Sequence, residues 1–334
     1  MNYREKIDYS SLSTYMDCPR KFLFSYVMHL RGQGKSIHLV FGSCWHYGLE
    51  KAYLALKEQQ ESNSAFTSKL TAMQLTIISV KAFNALWDLD GAPHWKDEDI
   101  IFPKSPGHAA NMFKAYWERH LKLDTENDRK VVAVEAPFVI DLTSYREDFP
   151  NYIGRIDLIL SAPDDGIEII DHKTAKAIYK VSPQIFESSF QTDGYLTAGR
   201  LFYNKIPSIT YRIALCQKGK IDFHPITVNK RSASIDHFLV NLTQFISAIL
   251  LDLDWLEQDR EQCTSRTDVL QSFHRCPGNA CTSFFTQCPY YNLCRLRNNP
   301  LAWFDKAPQG YHHDEWDPDL HEEGIKTRLA EAAK

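Results

Sequence analysis

The sequence predicts a mixed α/β fold, a sheet core flanked by helices, and three observations carry that expectation. β-branched runs in the middle of the chain, "KVVAVEAPFVIDL", "YIGRIDLILSA" and "GIEIIDHKT", are separated by turn signals such as "PDDG". Further on, "SITYRIALCQ" and "KIDFHPITV" read as two more strands. Helical spacing surrounds these runs on both sides, so the sheet can bury its faces against helices.

Taken in order, the serines of "SSLSTYMDCPRKFLFSYVMHL" can cap a helix. Leu12, Tyr15, Phe22 and Tyr26 keep a helical period on either side of Cys18-Pro19. The loop "RGQGKS" leads into a helix from about Gly42. Residues 65–125 hold more helical patterns, broken at "GAPHW" and "FPKSPGHAA". After three strands, "SPQIFESSFQTDGYLTAGRLFY" returns to helical spacing, and a long helix from about Ala233 to Glu261 follows the last two strands. The expected organisation is an N-terminal helical part over 1–50, a helical insertion or lobe over 51–130 and a core over 131–262. A cysteine-rich segment over 263–300 and an acidic, irregular tail over 301–334 complete it.

A hydrophobic content of 44% and a charged content of 24% over 334 residues suit an ordinary globular protein with a sizeable core. The net charge of -4 excludes a wholly basic surface but permits a local basic groove. No apolar run approaches the roughly 20 residues that span a bilayer, and "MNYREKIDYSSLS" lacks an apolar signal region. No membrane association and a cytoplasmic setting are therefore expected. The chain carries no G-x-x-x-x-G-K-[ST] motif, hence no ATP motor of its own. Of eight cysteines, Cys18, Cys44, Cys216 and Cys263 are scattered, while Cys276, Cys281, Cys288 and Cys294 crowd together. In a reducing compartment such crowding reads as metal or iron–sulfur ligation rather than disulfides.

The chemistry centres on two acids in adjacent strands. If residues 152–174 form a hairpin, Asp157 and Asp171 approach one another, with Lys173 two positions on and on the same face as Asp171. Acids are rarely buried unless paired or bound to a metal. Two carboxylates, with the His172 carbonyl as a further oxygen, suit Mg²⁺ or Mn²⁺. Such an ion lowers the pKa of bound water and stabilises charge on a phosphoryl oxygen. A lysine beside it positions the water or neutralises the transition state. Two exposed strand ends with solvated charges would give the same triplet.

"GRIDLIL" followed by "GIEIIDHKT" resembles the core of the PD-(D/E)XK nuclease superfamily in its RecB-like branch, a restriction-endonuclease-like α/β fold. That branch carries a G-x-x-x-H motif upstream, matched by Gly42-Ser43-Cys44-Trp45-His46, and a Q-x-x-x-Y motif downstream, matched by Gln191-Thr192-Asp193-Gly194-Tyr195. The resemblance implies that Asp157, Asp171 and His46 are metal ligands and that Lys173 is catalytic. It implies that Gln191 and Tyr195, four residues apart on one helical face, reach the active site or the nucleic-acid backbone. Glu135 in the first strand either approaches the site or is a solvated edge residue.

Cys288-Pro289-Tyr290-Tyr291-Asn292-Leu293-Cys294, with Cys281 seven residues earlier and Cys18 near the other end, resembles the iron–sulfur subset of RecB-like nucleases. CRISPR-associated exonucleases and AddB-type nuclease domains belong to that subset. The resemblance implies a [4Fe–4S] cluster held by Cys18, Cys281, Cys288 and Cys294. Where relatives often have C-x2-C-x5-C, this chain has phenylalanine at position 285, so Cys276 competes with Cys281 as the second ligand. Zinc is the alternative occupant. Cys44, Cys216 and Cys263 read as small buried hydrophobes.

Arg20, Lys21, Arg31 and Lys35 near Cys18, with Lys176 and Lys180 after the third strand, interleave with Tyr15, Phe22 and Tyr26. Cations with stacking platforms hold single strands without reading sequence, so Arg20 and Lys21 are candidate DNA contacts, and the resemblance adds Tyr195. The expected function is a Mg²⁺- or Mn²⁺-dependent exonuclease acting on single-stranded DNA ends in repair, recombination or replication, with a helicase or recombination partner. A structure-specific endonuclease and a catalytically idle DNA-binding scaffold are the rivals.

Overall fold

A computed structural model describes residues 2–34, 36–62, 69–90, 95, 103–162, 166–177, 182–203, 207–217, 219–265, 267–276, 278, 280–283, 286–296, 298–315, 325 and 328–329. Lys35, Lys180 and most of "GAPHW" lie outside them. In chain order the elements are β1 (Lys6–Asp8), α1 (Tyr9–Asp17), α2 (Pro19–Phe22), β2 (Leu30–Gly32), α3 (Ile37–Glu61), α4 (Ala72–Asp90) and α5 (Pro106–Thr125). The middle comprises β3 (Val131–Ile140), β4 (Asn151–Ala162), β5 (Gly166–Ala175), α6 (Pro183–Glu187), α7 (Phe190–Tyr203), β6 (Ser208–Gln217) and β7 (Lys220–Val228). The last stretch holds α8 (Ser232–Gln262), β8 (Thr282–Ser283), β9 (Thr286–Gln287), α9 (Tyr291–Leu296) and β10 (Tyr311–His313). The expected α/β architecture, a mixed sheet flanked by helices, is what forms.

The chain divides into two compact units, each assembled from separated segments. Unit 1 comprises Met1–Gly34, Val139–Gly154 and Asp236–His321; unit 2 comprises Lys35–Phe138, Arg155–Ile235 and Glu322–Lys334. In unit 2, β3 pairs with β4, and the sheet continues through β5, β6 and β7. β4–β5 and β6–β7 are antiparallel, whereas β5–β6 is parallel. A parallel neighbour needs a crossover, and α6 and α7 supply it.

Helices α3, α4 and α5 share one core with that sheet. Phe41, Trp45, Tyr53, Phe83, Phe113 and Trp117 bury against Leu158, Leu160, Ile170 and Ala214. Trp45 stacks on Phe113 at 4.3 Å between centroids. Close helix packing explains Gly48, where a Cβ would stand 2.5 Å from Phe113 Cζ and 2.8 Å from the Ser79 carbonyl. Helix α3 starts five residues before the expected position, because the main-chain N–H groups of Leu39 and Val40 bond the Ser36 carbonyl. The same unit buries a charge pair. Arg212 of β6 donates to both oxygens of Asp124 at the end of α5, at 2.5 and 2.8 Å, and Tyr53 O–H donates to Asp124 at 2.6 Å.

In unit 1, β1 pairs in parallel with the first residues of β4, and β2 with β10 antiparallel. Asp8 caps α1 by accepting from the Ser11 N–H. Helix α8 corrects the expectation about apolar length. By length and composition alone it could cross a membrane, and 33% of its most apolar window is buried. Its buried side chains, among them Phe238, Leu242, Ile246 and Ile249, recur every three or four residues, which is the stripe of a helix packed on a core. Asp252 on this helix accepts from Tyr15 O–H and the Phe273 N–H.

Candidate functional site

The β4–β5 ladder pairs Ala162 with Gly166 and ends with Leu158 opposite Ile170. One step further, the same register sets Asp157 against Asp171. Asp171 is fully buried, and its Oδ2 lies 2.5 Å from Lys173 Nζ. Its Oδ1 has no hydrogen-bond partner, an expensive condition for a buried carboxylate. Asp157 Oδ2 accepts the His172 main-chain N–H at 2.8 Å and stands 3.1 Å from His46 Nδ1. His46 reaches it because α3 runs close to β5. A Cβ on Gly42, one turn before His46, would stand 3.8 Å from Thr174 Oγ1.

Glu135 completes the group. One ligand atom from each of His46, Glu135 and Asp157 lies within 4.8 Å of the others. The residue sits mid-strand in β3 with a left-handed backbone, φ 47°, which breaks the in–out alternation. A non-glycine residue in that region costs on the order of 1–3 kcal/mol and is held by its surroundings. Sequence alternation cannot reveal such a turn of the backbone. The one hint was an acid in the otherwise apolar run "VVAVEAPF".

The charges here are strongly coupled. Burial, and then the Asp157 charge, push the Glu135 carboxyl up to about 8. Burial raises Asp171 to about 6 against the pull of Lys173. Burial also works against the Asp157 charge, yet His46 and His172 hold it well below the ordinary carboxylate range. Burial opposes the His46 imidazolium, but Asp157 outweighs it and raises that group to about 9. Acids that resist ionisation beside one another gain from added positive charge. Three carboxylates, one of them with an orphaned buried oxygen, and an imidazole make a donor set that fits a divalent cation.

On α7, Gln191 Nε2 donates to Tyr195 O–H at 3.1 Å, so the structure joins these two residues to one another. Tyr195 is 6% exposed, with its ring edge-on to Phe138, which leaves little of its face for a nucleic acid. The cationic and aromatic N-terminal helix needs a larger correction. Arg20 is 3% exposed, and its guanidinium donates to the Phe273 and Asn298 carbonyls. Tyr15 and Phe22 belong to the core, so this stretch does not present a stacking platform. Lys21 pairs with Asp17 at 3.4 Å.

Unit 1 also gathers sulfur. Cys18, Cys276, Cys281, Cys288 and Cys294 line one pocket of about 160 Å³, with Lys21, Arg275 and Arg295 around it. Cys18 is extended between α1 and α2, as a residue before proline prefers, and Pro19 opens α2. The Cys288 N–H bonds the Cys281 carbonyl, and the Cys294 N–H the Tyr290 carbonyl. Tyr290 O–H donates to the Leu30 carbonyl at 2.7 Å, tying this loop to the N-terminal segment. Cys44 and Cys216 are buried as expected, whereas Cys263 is half-buried beside Asp259.

The model of the PD-(D/E)XK nuclease superfamily matches residues 7–295. The chain belongs to that superfamily. This PD-(D/E)XK protein is accordingly a metal-dependent nuclease, and membership implies DNA as its substrate. Its mixed sheet between helices is the restriction-endonuclease-like arrangement of the superfamily. No curated protein matches this nuclease. Among solved structures, a candidate exonuclease from Eubacterium rectale is similar at 11% identity and a TM-score of 0.46, over 73% of this chain and 80% of that one. SSO0001 is similar at 11% identity and a TM-score of 0.24, over 57% and 84%.

Proposed function

We propose that this nuclease is of the RecB-like branch and hydrolyses DNA from free ends with Mg²⁺ or Mn²⁺, preferring single strands. The observation that carries this reading is the convergence of His46, Glu135 and Asp157 next to the Asp171 carboxylate, whose Oδ1 has no hydrogen-bond partner and whose Oδ2 meets the ammonium of Lys173. His46, Glu135, Asp157 and Asp171, with the His172 carbonyl, would hold the cation. When bound, the cation supplies positive charge against the phosphate. A histidine nitrogen among carboxylates suits Mn²⁺ at least as well as Mg²⁺. Lys173 stabilises the charge that develops on the phosphodiester or orients the attacking water. Gln191, steadied by its hydrogen bond to the buried Tyr195, positions the DNA backbone.

Action from ends is supported by the absence of a base-reading motif in the sequence. The chain has no ATP motor motif, and we propose that a helicase or recombination partner separates the strands and that the enzyme serves repair, recombination or replication in the cytoplasm. The test is a closed single-stranded circle beside the same strand linearised, both with Mn²⁺. The linear strand should disappear while the circle persists. Equal rates on both would make the protein an endonuclease.

We further assign the thiol pocket to a [4Fe–4S] cluster. Four thiolates at about 2.3 Å around one zinc would stand about 3.8 Å apart. Five cysteines around one pocket offer soft thiolates of the kind either group takes, and the resemblance to the iron–sulfur subset favours the cluster. Protein purified without oxygen should be brown and carry about four irons per chain. Cys18→Ala, Cys288→Ala and Cys294→Ala should each lose the iron, and Cys276→Ala should retain it if Cys281 is the ligand. A colourless protein with stoichiometric zinc would reverse the assignment.

A further inference from the structure

Behind Asp157 runs a buried polar chain that the metal-site reading does not use. His172 is 2% exposed. Its Nε2 lies 2.9 Å from Tyr116 O–H, and its Nδ1 3.6 Å from Asp157 Oδ2, the oxygen that accepts the His172 main-chain N–H. Tyr116 is itself anchored, 2.7 Å from Tyr53 O–H and 3.0 Å from Arg212 Nη1. Arg212 and Tyr53 close the chain on Asp124. Four elements, α3, α5, β5 and β6, thus converge on one imidazole.

Proton counts narrow the directions of these bonds. Arg212 only donates, so both tyrosine oxygens accept from it. Tyr53 commits its one proton to the Asp124 carboxylate at 2.6 Å. The Tyr116 proton then has two acceptors in reach, the Tyr53 oxygen at 2.7 Å and His172 Nε2 at 2.9 Å, and the Asp157 carboxylate facing His172 Nδ1 favours delivery to Nε2. A neutral imidazole that accepts at Nε2 carries its hydrogen on Nδ1, the nitrogen facing Asp157. The opposite tautomer would set a lone pair against a carboxylate.

The geometry points to Tyr116 and the His172 side chain as positioning residues for Asp157, the hydroxyl fixing the tautomer and the imidazole fixing which carboxylate oxygen is left for the cation. This rests on Asp157 being a metal ligand. Groups that orient a ligand in this way typically change metal affinity about 10- to 100-fold when removed. They do so without abolishing the reaction once metal is in excess.

The experiment is Mn²⁺ binding to the full chain, read from the electron paramagnetic resonance of free Mn²⁺, alongside cleavage at rising Mn²⁺. Tyr116→Phe should weaken Mn²⁺ about 10- to 100-fold, with cleavage recovering as Mn²⁺ is raised. Tyr53→Phe removes the neighbouring hydroxyl from the same ion pair but leaves the Tyr116–His172 contact. It should lower thermal stability and keep the wild-type Mn²⁺ affinity. Equal weakening in both variants would reduce the effect to general loosening and overturn the inference, as would unchanged affinity in Tyr116→Phe. Should Tyr116→Phe not fold, His172→Phe retains a ring beside Tyr53 and Tyr116 without either nitrogen, and the same loss is expected. Asp157→Asn separates the two ideas. If it binds Mn²⁺ like the wild type, the metal-site reading itself fails.

Discussion

Asp171→Ala and Lys173→Ala should each lower Mn²⁺-dependent DNA cleavage by about 10³-fold or more while the fold persists. Asp171 is wholly buried with one unpartnered oxygen, so its carboxylate is held for something other than packing. Its alanine variant also removes an acid that burial holds at about 6, and folding without metal should suffer little. Lys173 is the cation in contact with that acid, at 2.5 Å, and its side chain is 34% exposed. A lysine placed to meet an incoming phosphate contributes several kcal/mol only in the transition state. Wild-type turnover in either well-folded variant, measured on end-labelled strands, would remove both residues from the mechanism.

The second large effect concerns stability. Arg212→Met should destabilise the protein by about 3–5 kcal/mol, because it strands the Asp124 charge in the core. The pair is buried on both sides, at 6% and 0% side-chain exposure. Asp124→Leu strands the guanidinium and should cost a similar amount. The double variant should cost less than either single one, since an apolar pair carries no unpaired charge. Urea unfolding of the three variants reads this directly. Single-variant losses under about 1 kcal/mol would mean that water reaches the pair.

What was legible in the sequence follows from the range of the forces involved. The long strands showed themselves through β-branched runs; Asp157, Asp171 and Lys173 stood out as charges in apolar strands, and His46 only through the resemblance of its G-x-x-x-H motif. For Glu135 the sequence left site and solvated edge both open, because its approach depends on one left-handed φ that alternation cannot encode. β1, β2 and β10 are three residues each and exist only through partners far along the chain. Asp124 stands in "LKLDTEND", which looks like a solvated helix end; only Arg212, 88 residues later, makes it a core residue. "CPRKFLFSY" misled for the converse reason. Its arginine answers main-chain carbonyls and its phenylalanine fills the core, so a pattern of charge and ring does not by itself face outward.

The way unit 1 is divided along the chain bears on how it is made. Its first segment ends at Gly34, and its last begins at Asp236. During synthesis Cys18 therefore emerges long before Cys288 and Cys294, with which it shares a pocket. At roughly 5–20 residues per second, the delay between Cys18 and Cys294 is about 14–55 s. For most of that interval, until α8 emerges, Tyr15 of α1 lacks its Asp252 partner. The loop that must close is long, although its entropic cost grows only slowly with length. Residues 35–138 and 155–235, by contrast, are complete before the last segment of unit 1 is made. The newborn chain thus acquires its carboxylate centre first and its sulfur pocket last.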